Sequence, residues 1–334
     1  MILNSIEYGY IELHFFKAVP RCSPYKTINE FIKLYTQNDI WYLFSMKNVE
    51  LIAYVISFII TLAIAVHIFN IIYGAFPRKT FDIKDETVDE GRAEVVEEGK
   101  VGEVRIVGNV VYLPLPRRVS NVSVEEAILL RRSIREYLPN PITIDQLSML
   151  LWAAYGVTDT RYGFRSSPSA GATYPLEIYV VVGEKGVRIG DEKYLRPGIY
   201  KYDVYTHSLR LVREGDFRDE LAKAASDQPW VREAPINIVI TAVFERTTRI
   251  YGERGRVRYV PMEVGHVGQN IYLMATALRL GTVVIGAFYD DWIAQIISAS
   301  ENETPMYIVP VGVPKEFRET TFEDIQRFIE SRRG

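Results

Sequence analysis

The chain has 334 residues, 42 acidic against 39 basic side chains, a formal net charge of −3 and a mean hydropathy of −0.01. Such a balance gives no electrostatic reason to expect a nucleic-acid partner, because nucleic-acid binders carry a clear basic excess. Cys22 is the single cysteine, which excludes an internal disulfide and a thiolate metal cluster; no metal site is expected.

Residues 1–50 are aromatic-rich and weakly patterned. Two readings stand side by side there: an amphipathic helix over 26–42, lying on a membrane with Trp41 and Tyr42 at the headgroups, or a natural start at Met46. Residues 51–76 contain no Asp, Glu, Lys or Arg and exceed the about 20 apolar residues that cross a bilayer, so they predict a single transmembrane helix. Tyr54 and Tyr73 suit the two interfaces, and His67 and Asn70, near the end of the span, read as interfacial. Arg78 and Lys79 follow directly, a positive-inside bias that places the C-terminal side in the cytoplasm. Residues 77–103 are acidic and poor in hydrophobes, the composition of a solvated spacer. The globular domain is expected over 104–334, opening with an extended stretch at 104–116 whose apolar residues alternate.

Ser123 with Glu126 has the form of a capping box, so a helix is expected to begin at Val124 and deliver Arg131 to its end. Thr143 with Gln146 forms another, and Ile144, Leu147, Leu150, Leu151 and Ala154 recur at helical spacing before Gly156. Strands are expected at 177–182, 199–204, 208–212 and 237–244, with Asp216 capping a helix between the last two. An apolar helix buried on several sides is expected over 261–280, stopping at Gly281. Strands at 282–288 and 306–311, a helix at 292–298 and a polar helix at 322–332 complete a mixture without a strict βαβ repeat, which favours α+β.

Three segments carry chemistry. In Arg131, Arg132, Ser133 and Arg135, three guanidinium groups and a hydroxyl near a helix end form a dense donor set for phosphate oxygens, although a solvated charge run has the same composition. Pro168, Ser169, Ala170 and Gly171 lie in a small-residue loop where backbone can approach a flat ligand. Val284, Ile285 and Gly286 lie in an apolar stretch between glycines that could face a ring or simply join the core. No G-x-G-x-x-G motif follows a strand, so no separate dinucleotide-binding domain is announced.

Taken in order, RRSIREY, QLSMLLWAAYG, PSAGATYPLEIYVVV, GIYKYDVYTHSL, YGERGRVRYVPMEVGHVGQNIYLMATALRLGTVVIGAF and PVGVP resemble the nitroreductase family, and within it the SagB-type dehydrogenase branch that includes thiazole and oxazole oxidases. The resemblance spans roughly 124–314. It implies an α+β fold with a central, mostly antiparallel sheet flanked by helices, here preceded by the transmembrane helix. It also implies an intertwined homodimer with FMN in clefts formed by both subunits. Arg131, Arg132, Ser133 and Arg135 then match the phosphate and ribityl motif, Pro168 to Gly171 the loop against the isoalloxazine, and Val284, Ile285 and Gly286 the segment near its N5 edge. Lys315, or Arg318, matches the basic residue after PVGVP.

The resemblance further implies hydride transfer through flavin N5 by a ping-pong route, with the cofactor supplying the difficult chemistry. Azoline oxidation in a modified peptide is the first activity implied; reduction of a quinone, nitro compound or other small molecule by NAD(P)H docking transiently over the flavin is the second. A dehalogenase of the same fold and a flavin-binding redox sensor without turnover are weaker readings. No catalytic acid or base is assigned: Tyr174, Tyr259, Glu263 and His266 sit in or beside the matching motifs, and Lys201 with Tyr202, although azole-forming relatives use a Lys-Tyr pair, read as structural. Residues 245–259, with five arginines, are expected as a loop edging the site mouth.

Overall fold

The computed structural model describes residues 57, 59–64, 67 and 104–333. Two compact units divide the chain at Phe81. In the first, the described residues are helical and exposed, and the Thr61 hydroxyl donates to the Ser57 carbonyl at 2.8 Å. Among the described residues no helix is long and apolar enough to cross a membrane. Except for those eight positions, the expected N-terminal segment, membrane span and acidic spacer lie outside the described residues.

The second unit is built on an eight-stranded sheet, paired antiparallel throughout. In chain order its strands are β1 (Arg105–Val107), β2 (Val110–Tyr112), β4 (Leu176–Val182), β7 (Gly198–Asp203), β8 (Ser208–Glu214), β9 (Ile236–Ala242), β10 (Gly281–Thr282) and β11 (Thr304–Gly312). In space the order is β1-β2-β8-β7-β4-β9-β11-β10. A small second sheet joins β3 (Ile142–Thr143), β5 (Val187–Gly190) and β6 (Lys193–Tyr194). The extended stretch at 104–116 is therefore a hairpin, turned by Gly108 at φ 58°, a backbone region that favours glycine.

Strand β9, INIVITA, is buried at every position because helices cover both faces of the sheet. Its Ile236, Ile238, Ile240 and Ala242 join the larger core, packed with α2 (Ile144–Tyr155) and α6 (Val260–Ala277). Val239 points the other way, into a smaller core with α3 (Arg218–Ala224) and α7 (Asp290–Ile297). Fully buried leucines such as Leu147, Leu150 and Leu151 each contribute about 1.5–3 kcal/mol by leaving water. The remaining helices are α1 (Val124–Leu130), α4 (Pro229–Glu233), α5 (Phe244–Tyr251) and α8 (Phe322–Arg333).

Both capping boxes form, Ser123 with Glu126 on α1 and Thr143 with Gln146 on α2. Four expectations are corrected. Residues 245–259 are not a loop but α5 followed by a π-helical turn over Gly255–Tyr259. Helix α6 ends at Ala277 rather than 280, where Arg279 turns left-handed at φ 58°, and it buries one stripe, exposing Met262, His266 and Gln269, rather than the several sides expected. Of the expected strand 282–288 only Thr282 pairs as a strand, joined by Gly281 before it, with one further bridge at Ile285. Asp216 does not occupy the cap of α3, which falls to Phe217; its carboxylate instead accepts from the Arg218 and Glu184 backbone N–H groups and grips the Arg218 guanidinium.

Candidate functional site

Helix α1 ends because Arg131 adopts an extended ψ of 124°, and the chain beyond it is clamped from both sides. Ile134 N–H donates to Thr282 O at 2.9 Å, Leu138 N–H to Val313 O at 2.8 Å, and Lys315 N–H to Glu136 O at 3.0 Å. Residues far apart in sequence thus fix the backbone of the arginine motif. Ser133 Oγ hydrogen-bonds the Tyr272 hydroxyl at 2.8 Å, and that hydroxyl accepts from Val284 N–H at 3.1 Å. One tyrosine of α6 therefore couples the motif to residues 284–286.

The charges divide into two kinds. Arg132 is engaged with its own chain, donating to Leu129 O, Arg131 O and the Thr320 hydroxyl. Arg131 and Arg135 face only rings, Tyr272 at 5.1 Å and Trp230 at 5.5 Å, and have no ion-pair partner among the described residues. Trp230 Nε1 is buried without a hydrogen-bond partner, and its neighbour Gln228 donates to Ala287 O, next to Gly286. Lys315 is exposed and 3.9 Å from the Glu136 carboxylate, whereas Arg318 pairs with Glu316 at 3.5 Å. The backbone at Gly286 is open, with nothing within 4 Å of where a Cβ would sit. Unpaired guanidinium groups, a hydroxyl and an open backbone segment form a place where an anion would be held.

The loop of Pro168, Ser169, Ala170 and Gly171 is held separately. Ser169 Oγ accepts from Tyr174 N–H at 2.9 Å, and Gly171 has φ 61° with a Cβ position only 2.6 Å from the Tyr251 hydroxyl. Beneath it lies Glu263, 2% exposed, which accepts from the Tyr155 hydroxyl at 2.5 Å. Burial pushes the Glu263 carboxyl above its ordinary range against the opposing pull of Ser169, Tyr155 and Arg165. His266 is exposed, and Tyr259 stacks edge-on against Tyr251 at 4.9 Å. Glu263 and Tyr272 are nine positions apart on α6, about 13–14 Å at 1.5 Å per residue. Within one chain, Arg131, Ser133, Arg135, Val284 and Lys315 are brought together, while residues 168–171 stand at the other end of the same helix.

Lys201 lies between Glu303 at 2.9 Å and Glu177 at 3.3 Å, and Glu303 also accepts from Tyr179 and Thr241. Tyr202 meets Nδ1 of His207 at 2.8 Å, while His207 Nε2 reaches Ser148 Oγ at 2.7 Å; burial lowers the His207 pKa. Sequence reasoning missed Tyr272, Trp230 and Glu303 as organisers of these clusters. No local signal marks them, since Ser133 and Tyr272 are 139 positions apart and Lys201 and Glu303 are 102 apart.

The geometry has counterparts in known proteins. A protein of Methanocaldococcus jannaschii named as a nitroreductase is 48% identical over 206 residues, 62% of this chain and 98% of its own length. A crystal structure from Ralstonia eutropha JMP134, likewise named as a nitroreductase, is 28% identical with a TM-score of 0.54, covering 66% of this chain and 97% of that one. A trifolitoxin-processing protein of Rhizobium leguminosarum bv. trifolii is 31% identical over 153 residues, 43% of this chain and 39% of that protein; this likeness agrees with the SagB-type branch. The family model described as "Nitroreductase family" matches residues 128–313, from the end of α1 to the segment after β11, and the chain belongs to that family.

Proposed function

We propose that this oxidoreductase of the nitroreductase family is FMN-dependent, of SagB-type dehydrogenase character, and anchored to a membrane by residues 51–76 with its globular domain in the cytoplasm. The observation that carries the cofactor assignment is the pair of unpartnered guanidinium groups, Arg131 and Arg135, flanking a serine already bonded to Tyr272 beside the open backbone of Gly286. Always charged and capable of bidentate contacts, these arginines suit a phosphoester. Arg131, Ser133 and Arg135 would hold the phosphate, joined by Lys315, with Arg132 bracing the backbone. Val284, Ile285 and Gly286 would border the ring on this chain. Residues 168–171, at the far end of α6, would border it from the second subunit of a homodimer. FMN, when bound, supplies a ring nitrogen that accepts and returns a hydride, so that donor and acceptor react in turn. The chain's residues supply binding and orientation.

The likeness to a trifolitoxin-processing protein supports a modified-peptide substrate and azoline oxidation. An apolar span at 51–76 favours a second reading, an NAD(P)H-dependent reductase of a lipid-soluble quinone or a nitro compound. Purified full-length chain should be yellow and should oxidise an azoline peptide in a single turnover, with bleaching of the flavin band. Bleaching by NAD(P)H and recolouring by quinone, with no response to the peptide, would select the second reading. Flavin that neither donor bleaches would overturn both and leave a redox sensor.

A further inference from the structure

A cavity of about 600 Å³ opens beside the β4, β7 and β8 strands, within the size range of small-ligand sites. Four cationic side chains line it, Arg165, Lys201, Arg210 and Arg246, against two carboxylates, Glu177 and Asp203. Both carboxylates are already used. Glu177 pairs with Lys201 and Arg246, and Asp203 accepts the backbone N–H groups of Tyr205 and Thr206.

Two of the cations have no ion pair among the described residues, although Arg165 also attracts the buried Glu263 carboxyl. The Arg165 guanidinium is enclosed by the rings of Tyr155 and Tyr174, each 4.5 Å away, and Tyr205 at 5.4 Å. Its Nε is buried with no hydrogen-bond partner, a loss that a native site ordinarily avoids or uses. Arg210 has no ion pair among the described residues and stands directly across the strand pair from Lys201, whose own charge is met by Glu303 and Glu177. An anion in the cavity would give the buried Arg165 Nε a partner and Arg210 a counter-charge, and the tyrosine walls supply flat apolar surface beside the charge.

We propose that this cavity binds a small planar organic anion, a carboxylate or phosphate ester carried on an unsaturated ring, with Arg165 and Arg210 as its oxyanion donors and Tyr202 and Tyr205 as its walls. The proposal does not rest on flavin binding, because the arginine motif near Tyr272 contributes nothing to this lining. Calorimetric titration of the full-length chain with benzoate, phenyl phosphate, inorganic phosphate and benzylamine tests it. Saturable binding of benzoate or phenyl phosphate is expected, about tenfold or more tighter than inorganic phosphate, with no binding of the cationic benzylamine. The tighter of the two aryl anions identifies the headgroup. Arg210→Gln, an exposed site that leaves the core untouched, and Arg165→Gln should each weaken binding about tenfold or more, whereas Arg131→Ala should leave benzoate affinity unchanged. Aryl anions that do not saturate, equal affinity for benzylamine, or unchanged binding in Arg210→Gln would overturn the site.

Discussion

Replacing Lys201 by Met tests whether the lysine on β7 is structural. Its ammonium lies 2.9 Å from Glu303, whose side chain is 3% exposed, and 3.3 Å from Glu177; the lysine side chain is itself 33% exposed. Breaking a fully buried ion pair costs about 3–5 kcal/mol, because the surviving charge is left in low dielectric. Partial exposure of Lys201 lowers that figure, and so do the hydroxyls of Tyr179 and Thr241, which still donate to Glu303. About 2 kcal/mol remains, equivalent to a fall in Tm of roughly 4–8 °C for a unit of this size. The sign with pH follows from Glu303. Burial raises its pKa, but the bonds from Lys201 and Thr241 more than offset this and hold it below the ordinary range. A depressed carboxyl contributes stability above its unfolded pKa and loses it as pH falls through the folded value. The destabilisation by Lys201→Met should therefore be largest near neutral pH and shrink in acid. Urea denaturation of wild type, Lys201→Met, Glu303→Gln and the double variant measures it, with an expected coupling of about 1 kcal/mol or more. A Lys201→Met protein as stable as wild type at pH 7, or strictly additive single changes, would refute the reasoning.

Other expectations follow from the same geometry. In Glu263→Gln the buried charge is gone; because burial raises the wild-type pKa, wild type loses stability as pH rises from the unfolded value through the folded one. The variant should thus gain relative to wild type as pH rises past the ordinary glutamate range, and thermal melts across pH that run parallel would contradict this. Gly171→Ala places a Cβ at φ 61° against the Tyr251 hydroxyl and should cost about 1–2 kcal/mol, read as a lower urea midpoint. Tyr272→Phe removes the hydroxyl that joins Ser133 to Val284; FMN affinity should fall while the far-ultraviolet circular dichroism stays the same, and an unchanged affinity would count against the coupling. Ser123→Ala opens the cap of α1 and should cost about 1 kcal/mol in denaturant unfolding.

What the sequence revealed was what short-range physics determines. Both capping boxes, the α2 helix and the strands β4, β7 and β8 were legible because the caps and the apolar spacing lie within a few residues of each other. The sequence of α5 reads as loop because its arginines and the nearby Gly252 and Gly255 suggest solvent, yet Phe244 and Thr247, three apart, turn one face into the core. Residues 283–288 look like a strand by composition, but pairing with β11 continues past Thr282 only at Ile285, so tertiary contacts rather than β-propensity set the end of β10. Strands β5 and β6 are too short to announce themselves. At the candidate site the arginine motif was visible as a donor set, whereas the division of labour within it was not. That Arg132 serves the helix end while Arg131 and Arg135 remain unpaired depends on Tyr272, Trp230 and Thr320, which reach the motif only through the fold.

Fluorescence titration of the flavin-free full-length chain with FMN tests the cofactor site most directly. Wild type should bind and quench the flavin, Arg131→Ala and Arg135→Ala should each weaken binding about tenfold or more, and Arg132→Ala should do so far less. Absence of FMN binding by the wild-type chain, or wild-type affinity in the Arg131→Ala and Arg135→Ala variants, would contradict the assignment.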